Sequence, residues 1–171
     1  RRAVYLQRRP LGLQLSAAPA AAGGAETVEG TLAEVAGFDF NSYAKDMGVE
    51  VGWRILSVGP RASAPWSSLA ALREVLRAAE EGMPPWPLRM DFEPSGGGPL
   101  KVCFFERRFL GLGIASDMPL RIDLLAPEGP ARACGLEPGW RVVRIGDVVV
   151  GNDMDREQLL AYIVAGSAHL P

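Results

Sequence analysis

The strongest constraint on this fold is that the chain says the same thing twice. Met47–Gly59 reads MGVEVGWRILSVG and Cys134–Gly146 reads CGLEPGWRVVRIG, identical at six of thirteen positions and mostly apolar-for-apolar at the rest. Upstream of each stands a second echo: Arg8–Leu15 is RRPLGLQL and Arg107–Ile114 is RRFLGLGI, identical at five of eight. Arg8 lies 45 residues before Trp53 and Arg107 lies 33 before Trp140. The difference of 12 fits an insertion in the first copy, where SAAPAAAGGAETVEG supplies small, loop-like residues. Leu72 then follows Trp53 by 19 residues, as Leu159 follows Trp140. Three landmarks in one order identify a tandem repeat of two units.

Each copy has the same sequence of short elements. In the first, Ala3–Gln7, Leu11–Ser16, Thr31–Ala36 and Trp53–Val58 pattern as strands, and Ser42–Met47 as a helical turn ended by Gly48. Leu69, Leu72, Val75, Leu76 and Ala79 line one face of a longer helix, with Arg73, Glu74, Arg77 and Glu80 opposite. Gly82 and Pro84-Pro85 stop it, and Leu88–Phe92 closes the unit as a strand. In the second, the strands are Lys101–Phe105, Leu110–Ala115, Arg121–Leu125, Arg141–Ile145 and Val148–Val150, with Pro130–Cys134 as the short helix. Asn152 or Asp153 is expected to cap the second long helix, whose apolar face carries Leu159, Leu160, Ile163 and Val164. No residues remain after it to match the first unit's closing strand, so the second unit is expected to be truncated or to borrow one. The division that follows is residues 1–93, with an Ala/Gly-rich insertion at about 17–28, then a Gly/Pro linker at 94–99, then residues 100–171. The opening Arg1-Arg2, without a methionine, suggests a processed or partial product whose targeting segment is out of view.

A basic residue, a Gly-apolar-Gly-apolar strand start, a short helix before Gly-Leu-x-x-Gly, a strand and an amphipathic helix together resemble a PDZ domain. Gly111-Leu112-Gly113-Ile114 matches that family's carboxylate-binding loop, and Gly129 to Val150 (GPARACGLEPGWRVVRIGDVVV) its helix–turn–strand stretch. The resemblance implies an α+β fold, mostly β: two PDZ-like, partly open β-barrels or sandwiches, each with a short and a longer helix. It also implies a groove for C-terminal or extended peptides. Consecutive backbone N–H groups at a glycine turn suit a carboxylate, and the strand edge beside them accepts an added strand. The second groove would use Arg107, Arg108, Gly111, Leu112, Gly113, Ile114, Arg156 and Leu160, and the first Gly12, Leu13, Gln14, Leu15, Leu69 and Leu72. Gln14 replaces the loop's second glycine, and Trp53 and Trp140 stand where PDZ domains usually carry Asp. Both tryptophans are expected to pack a core edge or a seam between units. Trp66 and Trp86, among prolines, would either anchor another protein or fix a loop.

Composition narrows the function. A net charge of −2 gives no field that gathers polyanions, so nucleic acid is not expected as a partner. No apolar run approaches the roughly 18–20 residues that cross a bilayer, which leaves peripheral membrane association through partners. Cys103 and Cys134 lack ligand spacing and are expected as reduced, buried thiols. His169 is the only histidine, and Lys45 and Lys101 are the only lysines, so acid–base and nucleophilic chemistry lack their usual groups. Asp147, Asp153 and Asp155 are better explained by helix capping than by a metal. The expectation is therefore a non-catalytic scaffold or adaptor without cofactor or metal, holding the C-terminal or extended segments of other proteins. Two alternatives stand beside it: a fixed accessory subunit with vestigial grooves, and the regulatory PDZ portion of a protease. The Ala/Gly/Arg/Pro-rich style and the PLGL…GWR phrasing are similar to PDZ-like proteins of dinoflagellate-type algae. That similarity implies an organellar, thylakoid-associated chloroplast complex such as a photosystem.

Overall fold

The computed structural model describes residues 2–18, 32–60 and 62–171. Arg1, Thr31 and almost all of the Ala/Gly-rich insertion lie outside the described residues. Among the described residues the fold is α+β and mostly β, with four helices and several small antiparallel sheets, none of them closed. It divides into two compact units, Arg1–Pro84 and Pro85–Pro171.

In the first unit, β1 (Leu13–Ala17) pairs with β2 (Ala33–Phe38), and β2 with β3 (Arg54–Ile55). The run Trp53–Val58 does not stay one strand. After Leu56 it leaves β2, and β4 (Ser57–Val58) forms a hairpin with β5 (Ala62–Ser63). Helix α1 (Tyr43–Asp46) begins at Ser42, whose Oγ accepts from the Lys45 N–H. Helix α2 (Leu69–Glu80) is capped in the same way by Ser68, which accepts from the Ala71 N–H at 3.0 Å. Its apolar face lays fully buried Leu72 against Leu15, Ala33, Val35 and Trp66. Ala3–Gln7 is not a strand; the alternation is present, but among the described residues nothing pairs with it.

In the second unit, β6 (Leu88–Glu93) and β7 (Lys101–Phe105) form an antiparallel hairpin. The shorter strands are β8 (Leu112–Ile114) and β9 (Ile122–Leu125), paired with each other. Strand β10 (Arg141–Ile145) turns tightly into β11 (Val148–Val149), and the main sheet runs β11-β10-β6-β7. Helix α3 (Pro130–Ala133) starts with Pro130, whose ring suits the first helical turn. Helix α4 (Arg156–Ser167) is capped by Asp155 rather than by Asn152 or Asp153. Only Asp155 stands three residues before a glutamine, and it completes a capping box with Gln158.

Two boundaries differ from those read in the sequence. Leu88–Glu93 does not close the first unit: it lies between β10 and β7, pairing Met90 with Ile145 and Phe92 with Val142. Leu88, Met90 and Phe92 are fully buried and Asp91 nearly so, as expected of a central strand covered on both faces. The division therefore falls at Pro84/Pro85, not after residue 93, and the Gly/Pro stretch at 94–99 is a hairpin connection inside the second unit, not a linker. The strand that the second unit seemed to lack after α4 is supplied ahead of it in the chain. No helix among the described residues is long and apolar enough to cross a membrane.

Candidate functional site

The candidate site in each unit is the edge of a strand, β1 or β8, facing a long helix, with a glycine turn at its entrance. Gly111 is buried at φ +73°, and a Cβ there would come within 2.7 Å of Gly129 Cα. Gly12 repeats this at φ +67°, where a Cβ would lie 2.8 Å from Ser42 Cβ. Gly129 and Ser42 are the N-caps of α3 and α1. The glycine thus lets the strand pass tightly under the cap of the short helix. Ser42 secures that passage in the first unit by donating to Leu11 O at 2.8 Å. The Ala44 and Ala131 N–H groups make matching bonds to Leu11 O and Leu110 O, at 3.1 and 3.0 Å.

The loop's second glycine is under less constraint. A Cβ at Gly113 would first meet the flexible end of Asp123. At the equivalent position, the Gln14 side chain donates to Asp39 Oδ1 at 2.9 Å. Glutamine and glycine leave the same local geometry, a register shift between Gln14 and Leu15 in β1 and between Gly113 and Ile114 in β8.

In β8, the Gly111 carbonyl and the Ala115 N–H bond toward β9, so by strand alternation Leu112 and Ile114 direct their backbone groups toward α4. The Ile114 carbonyl is already engaged: Arg156 Nε, in the first turn of α4, donates to it at 2.7 Å. In the first unit the equivalent Leu15 carbonyl accepts from Arg73 Nη2 of α2 at 3.4 Å. Both clefts are bridged by an arginine, from different turns of the two helices. At the entrance of the first, the Leu11 N–H donates to Glu80 Oε1 at 3.2 Å, so a carboxylate of the chain itself sits on that loop.

Arg108 does not serve as free charge beside the loop. Its N–H donates to Pro171 O at 3.0 Å, its Nε to Leu170 O at 2.9 Å and its Nη2 to Ala168 O at 2.5 Å. Arg9 makes the same clamp, from N–H to Pro84 O at 3.1 Å and from Nε to Met83 O at 2.9 Å. Each arginine ties the chain leaving the long helix back to the strand side, satisfying carbonyls that the helix end leaves over. Arg107 is exposed. Leu72 is a core residue and unavailable to a ligand, whereas Leu69 and Leu160 are half-buried; in α4 the buried counterpart of Leu72 is Leu159. Leu13 is half-buried, and Leu15 and Ile114 are buried.

Sequence reasoning missed Arg73, Glu80, Ser42 and Gly129. It also missed the partners of the Arg9 and Arg108 clamps, whose signal was present in the repeat: Met83-Pro84 and Leu170-Pro171 stand at matching distances from Trp53 and Trp140. Trp53 and Trp140 are half-buried, and their carbonyls accept from Val35 and Ile122 at 2.8 and 2.9 Å. Arg2 lies over the Trp53 ring, 5.5 Å from its centroid. Trp66 fixes a loop: it is buried, and its indole N–H donates to Ile55 O at 3.1 Å. His169 is held at Trp86 O; a carbonyl only accepts, so Nε2 carries the proton there. Two shallow concavities of the second unit lie elsewhere: about 470 Å³ beside Leu124 and Leu136, and about 620 Å³ between Val149 and Tyr162. Among the described residues, no group of three or more His, Cys, Asp or Glu could hold a metal ion. No protein-family model matches the chain, and no curated protein matches it.

Proposed function

We propose that this chain is a non-catalytic, tandem PDZ-like interaction protein that works as a fixed accessory subunit of a larger assembly, not as a reader of free C-termini. The observation that carries this reading is the repeated arginine bridge, Arg156 to Ile114 O and Arg73 to Leu15 O. A peptide adding to either strand edge needs those carbonyls. Displacing a hydrogen bond from a charged donor costs roughly 1.5–3 kcal/mol, about ten- to a hundredfold in affinity. At the first loop an incoming carboxylate also meets Glu80. Exposed apolar side chains, meanwhile, recur at one repeat position: Tyr5 is 78% and Phe104 51% exposed, with Val102 beside Phe104. Aromatic surface of this kind suits burial against a neighbouring subunit. An organellar setting of the photosystem type accords with a fixed subunit and rests on the algal resemblance alone.

One observation favours the runner-up, capture of an extended segment by the second unit: among the described residues β8 pairs only with β9, which leaves half-buried Leu112 at an open edge. Calorimetric titration with C-terminal peptides, each as free acid and as amide, separates the two. The subunit reading expects no saturable binding of either form and co-migration of the native protein with a high-mass complex. Saturable binding that needs the free carboxylate overturns it in favour of the runner-up.

A further inference from the structure

The chain has only two cysteines, distant in sequence, and they meet in the second unit. Strand β7 alternates: Val102 and Phe104 are exposed, whereas Cys103 and Phe105 are buried. Helix α3 packs against β7, and its fully buried residue is Ala131. Cys134 follows Ala131 by three positions, so it continues the buried face of that turn. It is held there as the C-cap of α3, where its N–H donates to Pro130 O at 2.9 Å. The two side chains lie close enough for a hydrogen bond between the thiols. Both thiols are free, Cys103 buried and Cys134 half-buried. Across the repeat the two go together: the matching positions of the first unit are Val4 and Met47, so one copy has both thiols and the other has neither.

We infer that Cys103 and Cys134 form a reversible dithiol–disulfide pair, a modification site at which a low-molecular-weight disulfide of the glutathione type ties β7 to the end of α3. Cys134 is the accessible partner and reacts first. Its thiolate attacks one sulfur of oxidised glutathione. The Cys134–glutathione bond forms, the glutathione S–S bond breaks, and the glutathione thiolate released takes up a proton. Cys103 then gives up its proton and attacks the Cys134 sulfur. The Cys103–Cys134 bond forms, the mixed disulfide breaks, and the second glutathione leaves as a thiol. Two cysteine thiols are thus oxidised by two electrons as one glutathione disulfide is reduced to two thiols. Closure is the slower step, because burial makes Cys103 hold its proton tightly. Gly135 follows Cys134 at φ +76° in open space, which gives the end of α3 room to carry the sulfur inward. The segment closed by the bond contains Gly111 and Gly129, which pass close at the groove entrance, so oxidation stiffens that entrance. This inference rests on neither reading of the grooves.

The test incubates the reduced full chain with graded ratios of oxidised to reduced glutathione and quenches with acid. The denatured product is then alkylated with N-ethylmaleimide for intact and peptide mass analysis. The expected product is two hydrogens lighter than the dithiol, takes no label, links the Cys103 and Cys134 peptides, and returns to the dithiol with dithiothreitol. The native chain should favour this disulfide about a hundredfold or more over the urea-unfolded chain, because the fold holds the two sulfurs together. Closure should quicken about tenfold per unit between about pH 7 and 9, since the buried thiol must ionise first. Cys103→Val, which copies Val4, should stop at the mixed disulfide on Cys134, and Cys134→Met, which copies Met47, should leave Cys103 unreacted. The unsubstituted chain decides the matter even if either variant fails to fold. A mixed disulfide on Cys134 that persists without closing overturns the inference, as does a dimer of two chains linked through Cys134. Equal preference for the disulfide in the native and the urea-unfolded chain overturns it too, since the pairing would then owe nothing to the fold.

Discussion

The two units share their joints and differ in their cores. At the joints the two units use the same devices: the glycine under the short helix's cap, the clamp from Arg9 or Arg108, and the strand carbonyl held by Arg73 or Arg156. In the second unit, Leu88, Met90 and Phe92 of β6 are fully buried, as are Ile122, Val142, Ile145 and Leu159. Among the described residues of the first unit, a buried cluster joins Leu15, Ala33, Val35, Trp66 and Leu72, with partly buried apolar residues packed against it. Local geometry is thus copied by short sequence phrases, while the core depends on one strand whose position in the chain determines which copy it completes. The first unit should therefore open at lower free energy than the second, which amide exchange would show.

The largest expected effect tests that division directly. Phe92→Ala removes a fully buried aromatic from the central strand and should destabilise the second unit by about 3–5 kcal/mol. Hydrogen exchange resolved by peptide should show the loss over residues 85–171 and leave 2–84 unchanged. Equal loosening of both units would break the comparison, since β6 would then support both.

Next in size is Asp91, nearly buried, with Arg89 Nε at 2.9 Å and Arg144 Nε at 3.5 Å. Asp91→Asn leaves two guanidinium groups facing a neutral amide and should cost about 3 kcal/mol in urea unfolding. Arg144→Ser, which copies Ser57 of the first unit, leaves the Arg89 pair intact and should cost only about 1 kcal/mol. If the two substitutions were equally damaging, the acid would depend on Arg144 as much as on Arg89, and Ser57 could not be a harmless counterpart of Arg144.

Those residues also mark the limit of what the sequence made legible. The repeat, the helices and most strands could be read from it, because each is written in local periodicity and in turn residues. Assignment of Leu88–Glu93 could not, because a short apolar run carries no label for the sheet it will join. Its place in the chain, directly after the first unit's helix, pointed to the wrong neighbour. The loop glycines were legible as special, but the cause lay in Ser42 and Gly129, which are distant in sequence and adjacent in space. Arg108 was legible as a positive charge near the loop, but its three carbonyl partners belong to the far end of α4. A cation's partners are a tertiary property, and only the recurrence of Arg9 with Met83 and Pro84 would have disclosed them.

The clamps give a prediction of intermediate size in which the two units should behave alike. Arg9→Lys and Arg108→Lys keep the charge but lose the directed fork of N–H donors. Each should lower the stability of its own unit by about 1–2 kcal/mol, with fraying of the segment that follows the helix. Thermal unfolding of the two variants, read with exchange at 81–84 and 168–171, checks this. A loss in only one unit would mean that the shared geometry conceals unequal roles.

The smallest effect at neutral pH belongs to Cys103, whose counterpart Val4 cannot titrate. Burial pushes the Cys103 thiol from its ordinary 9.0 up to about 12, and neighbouring Cys134 adds to the shift. The folded chain therefore holds this proton more tightly than the unfolded chain does. That contribution to stability is complete below pH 9 and is lost as pH rises from 9 to about 12. Unfolding measured across that range should show an alkaline decline in the second unit, and Cys103→Val, which copies Val4, should remove the part due to this thiol. At pH 8, iodoacetamide should label half-buried Cys134 well before Cys103. Equal labelling rates would show that β7 opens readily, and that the strand pairing held to distinguish the second unit is no firmer than the unpaired Ala3–Leu6 of the first.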